Sequence, residues 1–265
     1  LFVPGSRPER FGKAFATGAD RIIVDFEDAV EDELKAQARK NLVQFLDNNP
    51  SAQVVVRVNA IGHREHQADL DCCRSAAGVV AVMLPKAENE SQIQMVAACK
   101  KPIWPLIESA KGVLAISSIA RAPNVERLTF GALDLGLDLG IKAGSPAANK
   151  LMDEVRYGLL LQSVNRGLSK PLDTVFPDIA NLEGLAEMAA HGSDLGFGGM
   201  LCIHPNQVHT ANECYSPTKE EIDWAIRVIE ASRCNGAGAF RLEGRMVDAP
   251  VIKQAYQLVA NNIVE

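Results

Sequence analysis

Eight short apolar runs recur along the chain, and a helix-length stretch separates most of them. They occupy 1–5 (LFVPG), 21–28 (RIIVDFED), 53–59 (QVVVRVN), 79–86 (VVAVMLPK), 102–109 (PIWPLIES), 125–134 (VERLTFGALD), 171–178 (PLDTVFPD) and 199–206 (GMLCIHPN). Short apolar runs of this kind, bounded by turn residues, read as strands buried on both faces. Between them, three-to-four-residue apolar spacing predicts helices. In 32–48, for example, Leu34, Ala38, Leu42, Phe45 and Leu46 form one core-facing stripe. Other helices are expected at about 8–17, 66–76, 90–99, 110–121, 147–167, 182–192 and 206–214. Eight such units predict an α/β chain whose residues 1–216 form a (β/α)₈ TIM barrel. Its active site would lie where the strands end.

Beyond the eighth run, SPTKEEIDWAIRVIEASR offers a Ser or Thr cap and an amphipathic pattern, predicting a helix over 217–234. A Gly-rich extended stretch beginning NGAGAF follows, and then an apolar helix over about 249–263. Residues 217–265 are thus expected to form a C-terminal helical extension or lid. Val251, Ile252, Ala255, Tyr256, Leu258 and Val259 make its last helix too apolar to stand in solvent. Two partners are open to it, its own barrel or a neighbouring subunit.

Length agrees with this division: 265 residues are close to the roughly 250 of such a barrel and leave no room for a second full domain. A net charge of -6 with scattered basic residues argues against nucleic acid as a partner. No run approaches the ~20 apolar residues of a membrane span, and no signal-type segment opens the chain. The six Cys include no C-x-x-C pair, so neither a zinc site nor a disulfide framework is indicated. Free thiols of this kind fit a cytoplasmic protein.

The strand ends carry the candidate chemistry. Glu108 closes the fifth run and Asp134 the sixth, aiming two carboxylates from adjacent strands into one opening. Two hard oxygen ligands with positions left for water and substrate suit Mg²⁺; alternatively both carboxylates cap the helices that follow. Glu27 and Asp28 end the second run, where they could hold metal-bound waters or form salt bridges. Arg57 lies within an apolar strand and needs an anion, supplied by a substrate carboxylate or by Glu27 or Glu108. Arg7 and Lys86 could add positive charge at the mouth. His204, in IHPN, reads more readily as a hydrogen-bonded structural residue than as a catalyst.

In chain order, LFVPGSRPERF, VDFEDAV, VVVRVN, PLIESAKGV, FGALDLGLDLG, IHPNQV and GRMVDAPVIKQA resemble the HpcH/HpaI aldolase and citrate lyase superfamily, in its citrate lyase β-subunit-like branch. The resemblance spans the whole chain. It implies a Mg²⁺-dependent carbon–carbon lyase acting on a CoA or acyl-carrier-protein thioester of a hydroxy acid, of the citramalyl, malyl or citryl type. It also implies metal ligands at Glu108 and Asp134, a substrate-binding and catalytic arginine at Arg57, and a catalytic acid at Asp248 that reaches a neighbouring subunit's site in a homotrimer. One departure is Leu133, where most relatives place an acid before the strand-six aspartate. Rival expectations are a citrate lyase β subunit served by an acyl-carrier protein, a malyl-CoA-type thioesterase, and a noncatalytic barrel.

Overall fold

The computed structural model describes residues 1–235 and 238–262, and the chain forms two compact units, Leu1–Tyr215 and Ser216–Glu265. In the first unit, six strands pair in sequence order, all parallel: β1 (Phe2–Pro4), β2 (Ile22–Asp25), β3 (Val54–Arg57), β4 (Val79–Leu84), β5 (Ile103–Ile107) and β6 (Thr129–Phe130). Helices connect them, as parallel neighbours require. The result is a curled α/β sheet.

The last two predicted strands do not form as strands. Thr129 bridges Leu172, Asp173 bridges Met200, and Phe2 N donates to Cys202 O at 2.8 Å, so pairing passes from β6 through two isolated bridges back to β1. Pro171 lacks an N–H, and Gly199 adopts φ +155°; both interrupt a regular ladder. The sixth run is also shorter than predicted. It breaks at Gly131, and Ala132–Asp138 turns into a helix, so Asp134 lies in a first helical turn rather than closing a strand.

Strand parity decides which side chains reach the interior. One apolar cluster holds Ile23, Val55, Ala81, Met83, Trp104, Leu106 and Leu201; the alternate positions Ile22, Val24, Val54, Val56, Val82, Leu84, Ile103 and Ile107 belong to the larger cluster. Successive strand residues face opposite sides. Two residues beyond Ile23, Val55 and Leu106 stand Asp25, Arg57 and Glu108, so the same face that is apolar along the strands becomes charged at their C-terminal ends.

The second unit comprises a helix Lys219–Asn235, a hairpin of β7 (Phe240–Leu242) and β8 (Arg245–Val247), and a helix Ala249–Asn262. Glu243 (φ 50°) and Gly244 (φ 82°) supply the two left-handed residues that a tight two-residue hairpin needs, so much of the expected extended stretch is paired antiparallel. Gly236 and Ala237 of the NGAGAF stretch, and Ile263 at the end of the expected helix, lie outside the described residues. Val251, Ile252, Ala255, Leu258 and Val259 pack with Ala225, Val228, Ile229 and Val247 of the same unit. The apolar stripe therefore finds its partner inside its own unit, a solution the sequence reading did not include.

Candidate active site

Asp25 and Arg57 are register partners on β2 and β3. Arg57 Nε donates to Asp25 Oδ1 at 2.7 Å and Nη2 to Oδ2 at 2.6 Å, while Nη1 lies 3.0 Å from Glu27 Oε2 and the guanidinium stacks 5.0 Å from the Phe2 ring centroid. Burial would lower the Arg57 pKa, yet the hydrogen bonds and charge of Asp25, with Glu27, raise it above its ordinary value. The internal-pair reading thus holds, with a principal partner, Asp25, that sequence reasoning missed. Its signal was an Asp in the apolar run IIVDF, one strand over from an equally anomalous Arg. Asp25 also accepts from Glu27 N (2.9 Å) and Ala29 N (3.1 Å), which folds the 25–29 turn around it. Of the five N–H donors of Arg57, the Asp25 hydrogen bonds engage two, while Nη1 meets Glu27 as an ion pair without a hydrogen bond, so N–H groups remain on both terminal nitrogens.

Glu27 forms ion pairs rather than standing open: Lys86 Nζ donates to its Oε1 at 2.9 Å. Burial raises the Glu27 pKa despite Arg57 and Lys86, and its Oε2 is buried without a hydrogen bond. Lys86 also serves through its backbone. It adopts φ 51°, unusual for a side chain with a Cβ, and its N–H donates to Glu108 Oε1 at 2.7 Å. Lys35, itself buried, donates from Nζ to the carbonyls of Phe26 (3.0 Å) and Glu27 (2.8 Å), bracing the same turn from beneath.

Glu108 follows β5 directly and is 4% exposed. Its pKa is raised to about 8, first by burial and then by the charges of Glu27 and Asp134. Gly131 makes room for it: a Cβ there would lie 2.7 Å from Glu108 Oε2. The capping alternative fails for Glu108, because Ser109 caps the next helix by accepting from Gly112 N at 3.2 Å. Asp134, in the first turn of Ala132–Asp138, caps nothing either; Thr174 Oγ1 accepts the Ala132 N–H at 2.9 Å instead. Among the described residues no Lys, Arg or His forms an ion pair with Glu108 or Asp134.

Glu108 and Asp134 line a cavity of about 710 Å³ together with Asp25, Asp28, Arg57, Thr174 and His204. Its remaining wall is largely apolar, from Phe2, Val3, Leu106, Phe130, Leu133 and Leu201. Two residues expected at the mouth are not among its lining. Arg7 is exposed, and Lys86 is turned into its pair with Glu27; Arg10 and Lys13 supply the positive charge on this wall instead. Helical spacing along PERFGKAF was the available signal, since residues 10, 13 and 14 share one face.

His204 Nδ1 lies 2.6 Å from Asn206 Oδ1, in line with a structural role, although the residue reaches the cavity wall. Asp248 immediately precedes the last helix of the second unit, where its Oδ1 accepts from Val251 N at 3.4 Å.

The residues fit a hard divalent cation. Two carboxylates without an ion pair among the described residues share one cavity, and burial, followed by the charges of Glu27 and Asp134, raises the Glu108 pKa, a shift that a bound cation would oppose. Among the described residues no group of three or more His, Cys, Asp or Glu could hold a metal, so the pair would leave the other coordination positions to water and substrate, as Mg²⁺ favours.

The HpcH/HpaI aldolase/citrate lyase family matches residues 1–205. A solved structure of the protein CitE from Mycobacterium tuberculosis, in complex with magnesium, acetoacetate and coenzyme A, superposes with a TM-score of 0.84 at 37% identity over 98% of this chain and 96% of that one. A (3S)-malyl-CoA thioesterase from Cereibacter sphaeroides is 32% identical over 98% of this chain and 92% of its own length. The mitochondrial citramalyl-CoA lyase of Homo sapiens is 28% identical over 98% of this chain and 83% of its own.

Proposed function

Because this chain belongs to the HpcH/HpaI aldolase/citrate lyase family of oxo-acid lyases, we propose that it cleaves a 3-hydroxyacyl-CoA thioester of the citramalyl or malyl type to acetyl-CoA and a 2-keto acid. The observation that carries this reading is that Glu108 and Asp134, two carboxylates with no ion pair among the described residues, line one cavity at the C-terminal side of the curled parallel sheet. They would hold Mg²⁺, which when bound supplies a Lewis acid for the substrate's hydroxyl and carboxylate oxygens as the hydroxyl carbon becomes a ketone.

Arg57, fixed by Asp25 and Glu27, offers its remaining N–H groups to the substrate carboxylate. As the substrate hydroxyl gives its proton to water, cleavage of the carbon–carbon bond sends its electron pair into the thioester, giving an enolate whose α-carbon takes a proton. Asp248 supplies that proton, from a neighbouring subunit of a homotrimer, and removes it in the condensing direction. The apolar wall excludes water from the enolate. Glu27 and Asp28 flank this centre, Glu27 holding Arg57 and Lys86 in place.

A thioesterase on the same residues is the second reading, favoured by the 32% identity to the (3S)-malyl-CoA enzyme. A third is a citrate lyase β subunit that takes citryl thioester from an acyl-carrier protein. The deciding experiment incubates the protein with Mg²⁺ and citramalyl-, malyl- and citryl-CoA and follows each product separately. Keto acid with acetyl-CoA supports the lyase, whereas intact hydroxy acid with free CoA replaces it with the thioesterase. Silence on every CoA ester, with turnover of citryl-carrier, assigns the subunit role.

A further inference from the structure

A second ion pair is buried as deeply as Asp25 and Arg57, and the proposed reaction makes no use of it. Asp173 is fully buried and Arg156, on the helix Pro146–Arg166, nearly so. Arg156 Nε donates to Asp173 Oδ1 at 3.1 Å and to Oδ2 at 3.0 Å. Its Nη1 donates at 2.9 Å to Asp153 Oδ1, which also lies 2.9 Å from Nε2 of the exposed His191. Burial raises the Asp173 pKa even with Arg156 beside it, and packed apolar side chains of similar volume are often as stable as such a pair. Neither residue lines the cavity, yet their contacts run toward it.

The guanidinium reaches the stretch between the two carboxylates by two routes. It stacks 5.4 Å from the ring centroid of Phe130, the last residue of β6 and part of the cavity wall. Through Asp173 it reaches the far side of Gly131: Asp173 Oδ1 accepts from Thr174 N at 2.8 Å, and Thr174 Oγ1 accepts from Ala132 N at 2.9 Å. Ala132 opens the helix that carries Asp134, and its N–H is one of the first-turn donors that have no intrahelical partner. Phe130 and Ala132 thus flank the glycine whose missing Cβ leaves room for Glu108. A regular ladder does not fix Thr174, because its segment makes only isolated bridges at Leu172 and Asp173. The buried charge pair supplies that constraint.

We propose that Arg156 and Asp173 are positioning residues for the Glu108 and Asp134 cation site, fixing through Thr174 and Phe130 the stretch 130–132 on which both carboxylates depend. The inference rests on the metal reading above and extends it to residues outside the cavity. Two carboxylates grip one ion only while their separation is held. Glu108 is held by the Lys86 N–H and by the space at Gly131, whereas Asp134 depends on where its helix begins. That beginning is set by Thr174, and Thr174 by Asp173 and Arg156. Loss of such a support typically weakens metal binding by about 10–100-fold.

The test is calorimetric titration of the full chain with Mg²⁺, accompanied by hydrogen exchange of the Ala132–Asp138 amides in the metal-free protein. Asp173→Asn keeps the side-chain shape but sets an amide against Arg156; it is expected to weaken Mg²⁺ binding at least about tenfold and to speed exchange in that helix. Should it fail to fold, Arg156→Lys is the second variant. It keeps the charge but offers one nitrogen where Asp173 and Asp153 are held by two, and a smaller loss in the same direction is expected. Combination with Thr174→Val separates positioning from general loosening: the double variant should lose much less affinity than the product of the two single losses, whereas independent effects multiply. Mg²⁺ affinity within about twofold of wild type in the folded variants, or losses that multiply in the double variant, overturns the assignment. A wild type that binds no Mg²⁺ removes the metal reading and this inference together. Mg²⁺ affinity that depends on Asp173, in a protein that cleaves no CoA ester, keeps the positioning role and removes the reaction.

Discussion

Arg57 grips Asp25 through two parallel hydrogen bonds of 2.7 and 2.6 Å, made across one register step of adjacent parallel strands. Neither residue is intelligible alone, since each is a charge in an otherwise apolar strand. Together they neutralise one another, and the turn from Asp25 to Ala29 is then built on the same carboxylate. The pair is the floor on which the proposed carboxylate site rests.

Breaking that pair from one side leaves a buried, uncompensated charge. Asp25→Ala is expected to lower unfolding stability by about 3–5 kcal/mol, measured by urea denaturation. A loss below 1 kcal/mol would mean that Arg57 finds another anion or reaches water.

Glu108 links stability to pH and to the cation. Its pKa of about 8 in the metal-free protein exceeds the ordinary 4.5, so between these values the folded chain keeps a proton the unfolded chain has released. The Glu108 contribution is therefore present at low pH and fades as pH rises through that window. Mg²⁺ requires the ionised carboxylate, so its apparent affinity should rise with pH and level off near 8, with a proton released on binding at pH 6. Titration in two buffers of different ionisation enthalpy checks this, and Glu108→Gln should abolish the proton release.

Gly131→Ala tests the space around Glu108. At φ -109° the backbone accepts a side chain, but the new Cβ would crowd Glu108 Oε2 at 2.7 Å. The expected result is a loss of roughly tenfold or more in Mg²⁺ affinity with little change in melting temperature. Unchanged affinity would place the ion elsewhere.

Thr174 caps, from a distant segment, the helix that bears Asp134. Thr174→Val should cost about 1 kcal/mol and weaken Mg²⁺ binding, and Thr174→Ser should restore both. Equal weakening by the Ser variant would point to lost packing rather than a lost cap.

Assignment of Asp248 to a neighbouring subunit's site predicts complementation. Asp248→Ala and Glu108→Gln should each be inactive alone. Mixed and reassembled in equal amounts, they should regain about a quarter of wild-type activity, because one in four subunit junctions then holds both intact residues. No recovery from reassembled mixed trimers would refute the arrangement in trans.

Apolar runs and helical stripes, read along the chain, were enough to place β1 to β5 and most of the helices, because those patterns are local. Glu108 was legible for the same reason: a charge directly after a buried strand has few places to go. The seventh and eighth runs were overread, since a run's composition does not reveal whether its backbone N–H groups find partners; Pro171 and Gly199 left only single bridges. Non-local pairing lies beyond any window of sequence. Register alone set Asp25 against Arg57, a turn at Lys86 sent a backbone N–H to Glu108 and the ammonium to Glu27, and helix facing put Arg10 and Lys13, rather than Arg7, on the cavity wall. The residue types at the site follow from local pattern; which charge answers which depends on contacts between segments far apart in the chain, and only folding brings those together.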